Sequence, residues 1–196
     1  LRRTKQNFPY QPGKSMMVLQ SFVGTTPIAG LIQEVGLFDD NNGIILRASG
    51  TTIQFAIRNK SSGSVIEDVV DQSLWNINTL SDLDFSKAQI FAADLEWLGV
   101  GRVRVGFVIN GEIIYCHEFN HYNTLDSVYM TTAILPLSYR IHNASAQAAS
   151  RTLKQVCSSI LSEGGYEPDG AIYSVNHDLA SVPNTSGERI TAGIRM

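Results

Sequence analysis

This 196-residue sequence predicts a mostly β chain folded as an antiparallel sandwich, on three observations. Short apolar runs, often alternating, follow one another from Met16 to about Tyr139. The runs are separated by dipeptides suited to positive φ, which Gly and Asn adopt most cheaply: Asn42-Gly43, Ser49-Gly50, Ser62-Gly63 and Asn110-Gly111. Finally, a hydrophobic content of 43% gives a chain about one domain long enough apolar material for a sandwich core.

The clearest element pair is Arg102 to Ile109, then Asn110-Gly111, then Glu112 to His117. Asn-Gly between alternating apolar residues is the strongest short-range hairpin signal, so two strands joined by a two-residue turn are expected. The segments Ile44–Arg47 and Thr52–Arg58 make a second antiparallel pair around Gly50, with Ile53, Phe55 and Ile57 on one face. That face is predicted to be core. From Arg151 to Ser162 the apolar residues Leu153, Val156, Cys157, Ile160 and Leu161 fall at helical spacing, with Gly164-Gly165 beyond as a stop. Locally a helix fits there as well as a strand. After Tyr166 the residues Pro168, Asp169, Gly170, Pro183, Asn184 and Gly187 suit an extended arm or the lead-in to another domain. The expected division is a sandwich over 1–165 and an arm over 166–196.

Charged residues make up 17% of the chain and the formal net charge is −3, which argues against nucleic acid and against a membrane surface as partners. A surface so poor in charge leaves room for area covered in an assembly. No run reaches the roughly 18 apolar residues of a membrane-spanning helix, and no signal-peptide pattern precedes the first polar stretch. The first residue is Leu1, as in a piece of a longer polypeptide. Cys116 and Cys157 lack CxxC or zinc-type spacing and are expected as two buried free thiols.

Several motifs could carry chemistry. His117-Glu118-Phe119-Asn120-His121 satisfies the H-E-x-x-H pattern of zinc proteases, with Glu163 as a remote third ligand. A helix brings residues i and i+4 to roughly 6 Å on one face, whereas a strand holds them about 13 Å apart, too far to share an ion. The run Glu112 to Cys116 leading into the motif is β-branched and aromatic, so the strand is expected and no metal site with it. Asp94 and Glu96 share a strand face like the acids of sandwich-type glycosidases, but Ala92 stands where a nucleophile is needed. Their expected role is to meet the basic face of Arg102 and Arg104. Asp39-Asp40-Asn41-Asn42-Gly43 offers oxygens to calcium without matching the EF-hand order, and a tight polar turn accounts for it. The glycines at 24, 30 and 36 have no phosphate-cradle spacing, and no G-x-S-x-G elbow exposes a serine. Asn59, Asn143 and Asn184 fit the glycosylation acceptor pattern, which matters only on a secretory route. Tyr10, Trp75, Trp97, Tyr122 and Tyr129 could include a sugar-stacking platform, although core packing suits most of them. No catalytic residue, cofactor or metal is expected.

Seven stretches together resemble the concanavalin-like jelly-roll module of virion structural proteins from marine tailed phages and large DNA viruses. They are Tyr10 to Ser15, Gly36 to Gly43, Gln72 to Asn76, Asp94 to Arg104, His117 to His121, Leu135-Pro136-Leu137 and Ser162 to Tyr166. The resemblance implies a jelly-roll sandwich of concanavalin or laminin-G type and a non-enzymatic component of a virion: capsid, decoration, fibre or baseplate. Its partners would be further copies of the chain and other virion proteins. It supplies no catalytic residues and favours a closing strand for Arg151 to Ser162. A carbohydrate-binding module for host attachment is the alternative, since jelly rolls serve both capsids and lectins.

Overall fold

The computed structural model describes residues 1–163, and the arm expected over 166–196 lies outside them. The fold is a sandwich of two antiparallel sheets in a jelly roll. One sheet has six strands in the order β1-β10-β3-β4-β5-β6, the other five in the order β11-β2-β7-β8-β9. The strands run Arg2–Arg3 (β1), Met16–Val23 (β2), Leu31–Phe38 (β3), Gly43–Ser49 (β4), Thr52–Asn59 (β5) and Ile66–Asp71 (β6). After a single 3-10 turn at Gln72–Leu74 come Ala88–Leu95 (β7), Val103–Ile109 (β8), Glu112–Phe119 (β9), Leu137–Asn143 (β10) and Lys154–Ser162 (β11).

Alternation along each strand decides what faces inward. The core takes Val18 and Phe22 from β2, Val35 and Leu37 from β3, Ile53, Phe55 and Ile57 from β5, Phe91 from β7, and Val105 and Phe107 from β8. The face predicted from Ile53, Phe55 and Ile57 is therefore core. Trp75 stacks on Phe55 at 4.2 Å between centroids, so the turn after β6 also caps the core.

The turns bear out the dipeptide reading with one change. Asn110 and Gly111 both have positive φ, at 53° and 87°, and Ile109 pairs with Glu112, a type I′ hairpin. Gly50 supplies the positive φ of the two-residue turn between Ser49 and Thr52. At Asn42-Gly43 the chain differs: Gly43 already pairs with Phe38 and opens β4, and the turn is Asp39–Asn42. The Asp39 carboxylate makes it, accepting the N–H groups of Asn41 and Asn42 at 2.7 Å each.

Arg151 to Ser162 holds a strand from Lys154, not a helix. It pairs with β2, with a bulge between Gln155 and Cys157. Val156 is the extra residue and is exposed, so the alternation slips by one and the apolar spacing imitates a helix. A second bulge, at Cys116 in β9, turns its carbonyl outward to accept the N–H groups of Ile77 and Asn78 at 3.0 Å. Asn76 adds a two-way bond to the Glu118 backbone, so the segment after Trp75 covers the free edge of β9.

Candidate functional site

The outer face of the six-stranded sheet carries an interlocked set of charges. Register places Arg140, Glu34, Arg47, Gln54 and Asp71 side by side across β10, β3, β4, β5 and β6. Four residues along β5 and β6, Arg58 stands beside Glu67. The row between them is Gly36, Ile45 and Ala56, small or slender enough for the charged side chains to close over it. Arg47 donates to Glu34 at 3.0 Å and to both oxygens of Glu67 at 2.7 and 2.8 Å. Arg58 bonds Glu67 at 2.8 Å, Glu34 at 3.3 Å and the Asp39 carbonyl at 2.8 Å. Arg140 closes the ladder on the second Glu34 oxygen, and it and Arg3 reach Asp40.

This roof explains a second small core on the outer side of the sheet, where Phe38, Ile45 and Ala56 are wholly buried. The Arg58 and Arg140 guanidiniums lie 5.6 and 5.5 Å from the Phe38 ring centroid, each as a cation over an aromatic face. Burial alone would raise the Glu34 carboxyl, yet the hydrogen bond from Arg140 and the charges of Arg47, Arg140 and Arg58 hold it below its ordinary value. At Glu67 burial again opposes ionisation, and the bonds and charges of Arg47 and Arg58 bring its pKa down to about 2. The ladder is thus ionised and fixed in place, with Glu67, Arg140 and Arg47 still partly open to solvent.

The residues singled out in the sequence lie elsewhere. His117 sits within β9 and accepts the Asn76 N–H on Nδ1 at 3.2 Å. His121 lies past the strand end, donates from Nδ1 to the Gly101 carbonyl at 2.7 Å and stacks on Tyr129. Glu163 is bonded to Ser15. Among the described residues no group of three or more His, Cys, Asp and Glu is placed to hold a metal. The expected pairing of Asp94 and Glu96 with Arg102 and Arg104 is half met. Asp94 bonds Arg104, whereas Arg102 reaches Glu118 at 3.4 Å because Glu96 falls beyond the end of β7. Cys116 is buried as expected, but Cys157 is exposed because the bulge turns it to the outer face. The two stand on opposite edge strands of one sheet, so they do not pair with each other. Of the aromatic candidates Tyr10, Trp75 and Tyr129 are buried, Trp97 packs edge-on against Tyr10, and Tyr122 is 91% exposed.

A cleft of about 480 Å³ opens on the other side of β6, where Ile66 and Asp68 point away from the ladder. Asn59, Ser61, His121 and Asp126 also line it.

The ladder residues Glu34, Arg47, Arg58, Glu67 and Arg140 were not singled out by motif. The available signal was parity: Arg58 follows the core residue Ile57 and must face the other way.

By architecture the chain is a jelly-roll β-sandwich with a charged outer face. No family model matches the sequence, and no curated protein matches it. Solved structures similar to it include the receptor-binding domain of botulinum neurotoxin type G, with 8% identity, a TM-score of 0.41, and coverage of 74% of this chain and 34% of that one. The chain thus spans about a third of the length of the toxin domain. A tetrameric galectin from the ball sponge Cinachyrella sp. is similar at 15% identity and a TM-score of 0.41, over 79% of this chain and 97% of that one. A homodimeric agglutinin from chicken liver is similar at 11% identity and a TM-score of 0.36, over 80% and 96%.

Proposed function

We propose that this domain is a non-catalytic glycan-binding module that takes its ligand across the outer face of the six-stranded sheet. The observation that carries the reading is the ladder of Arg140, Glu34, Arg47, Glu67 and Arg58, whose planar groups are held by one another before any ligand arrives. Sugar hydroxyls both donate and accept, and neighbouring pairs of them match the paired donors of a guanidinium and the paired acceptors of a carboxylate. Side chains already immobilised lose little entropy on binding. Phe38 is sealed beneath two guanidiniums, so recognition on this face rests on hydrogen bonds rather than on stacking.

The test is a glycan array probed with the full chain, followed by titration of a bound glycan against Glu67→Gln and Arg140→Met. Binding should weaken tenfold or more in both, with Tyr122→Ser unchanged. Absence of any bound glycan, or binding indifferent to both ladder variants, overturns the reading.

A second reading is a structural subunit of a virus or phage particle, as the sequence resemblance implies. It is favoured by the exposed edge strand β6, where Ile66 and Val69 are 49% and 39% exposed and the free backbone groups can pair with another chain. Co-assembly of the chain into particles, abolished by Val69→Pro, is its test.

A further inference from the structure

The outer face of the five-stranded sheet is unlike its counterpart. An antiparallel sheet with one face in water ordinarily alternates apolar-in and polar-out. Here the outward positions of β2 are Met17, Leu19, Ser21 and Val23, and those of β7 are Ala88, Ile90, Ala92 and Asp94. β8 adds Gly106 and Val108, β9 adds Ile113 and Tyr115, and β11 adds Leu161. Ile90, Ile113 and Leu161 are 38%, 37% and 50% exposed, and none of the described residues covers the face. Its paired charges stand at one end, in the row Asp94, Arg104 and Glu118, and Lys154 of β11 stands at the other end beside Val23.

We infer that a second copy of this chain packs on that face, related by a two-fold axis that runs along the strands between β7 and β8. The charged row points to this occupant. Asp94 and Arg104 are direct cross-strand neighbours, so the axis sets Asp94 of each copy over Arg104 of the other and opposite charges meet twice. The same operation lays Ala92 over Gly106, Ile90 over Val108, and Leu19 over Tyr115. Ala92 and Gly106 at the centre are already buried by the larger side chains around them, so Leu19, Ile90, Val108, Ile113 and Tyr115 make the contact, with the two sheets at the usual spacing of about 10 Å. Arg104 and Tyr115 are already rigid, the guanidinium 4.3 Å from the ring centroid and the Tyr115 hydroxyl bonded to Asp94 at 3.2 Å. Arg and Tyr so placed are the residue types that anchor interfaces. Five strands of about eight residues present a footprint on the order of 650 Å² per copy, within the range of stable dimers.

Sedimentation equilibrium of the full chain at micromolar concentration should give the mass of a dimer. Leu19→Glu should give a folded monomer with the cooperative unfolding of the wild type, its midpoint lowered only by the lost association and no longer dependent on protein concentration, and Ile90→Glu serves in its place if that variant does not fold. Asp94→Arg and Arg104→Asp should each be monomeric alone. Mixed in equal amounts they should form a heterodimer, because only across the interface does each supply the charge the other lacks. A monomeric wild type, a dimer that persists in the Leu19 or Ile90 variant, or a mixture that stays monomeric overturns the inference. None of these outcomes depends on whether the opposite face binds a glycan.

Discussion

Glu34 stands in the middle of β3 with its side chain almost wholly buried, and three guanidiniums supply the compensation that burial demands. Removing one partner of a buried ion pair leaves the others uncompensated, which costs about 3 kcal/mol or more. Glu34→Ala is therefore expected to lower the denaturant midpoint strongly, whereas Asp40→Ala, at an exposed carboxylate, should move it by a few tenths of a kcal/mol, on the order of a surface pair. The acid response follows from the same groups. The folded pKa of Glu67 is depressed to about 2, so its stabilisation is complete above its ordinary value of 4.5 and is lost as pH falls from there through 2. After discounting for solvent screening this is worth on the order of 2 kcal/mol. His117 acts earlier: burial depresses its pKa, so the unfolded chain takes up a proton first and stability declines as pH falls below 6.5. His142 is depressed by burial in the same way, so an unfolding titration should show both limbs, with His117→Gln shrinking the upper one and a further His142→Gln removing what is left. The thiols give a simpler contrast. Burial pushes Cys116 up to about 12 while Cys157 lies exposed, so the native protein should react with one equivalent of a thiol reagent and the unfolded protein with two.

Turns and bulges set the shape of the strands. At Gly111 an added Cβ meets nothing within 4 Å, so Gly111→Ala isolates the backbone cost of positive φ, about 1 kcal/mol in thermal unfolding. Gly106 is the opposite case: the bulge in β9 brings the Ile114 carbonyl to 2.1 Å from a Cβ there, and Gly106→Ala should disrupt the β8–β9 pairing outright. What could be read in advance divides along this line. The Asn110-Gly111 hairpin and the core face of β5 were legible because their signals are local. β11 was legible only through the resemblance, which favours the closing strand found there, because a bulge at Val156 converts a two-residue period into one that reads locally as helical. The ladder was legible only as outward parity. Glu34 meets Arg47, Arg58 and Arg140 at separations of 13, 24 and 106 residues, and register over such distances is fixed by the fold, not by neighbouring residues.

The whole molecule presents two broad surfaces of opposite character on the two sides of one core: an ionised ladder on the six-stranded sheet and an apolar field on the five-stranded one. If the apolar fields meet across a two-fold axis, the ladders are left on opposite outer sides of the dimer, facing away from each other. That geometry has a consequence which neither surface has alone. Two sites on one side of a particle would bind a single glycan-coated surface with avidity, whereas two sites facing apart join one such surface to another. Beads coated with a bound glycan should therefore be cross-linked by the wild-type chain. Leu19→Glu should bind single beads with the affinity of one site and cross-link none, and Glu67→Gln should dimerise yet bind and cross-link only at tenfold or higher glycan density. Cross-linking that survives Leu19→Glu would place the contact between copies elsewhere, with the open edge of β6 the next surface to block.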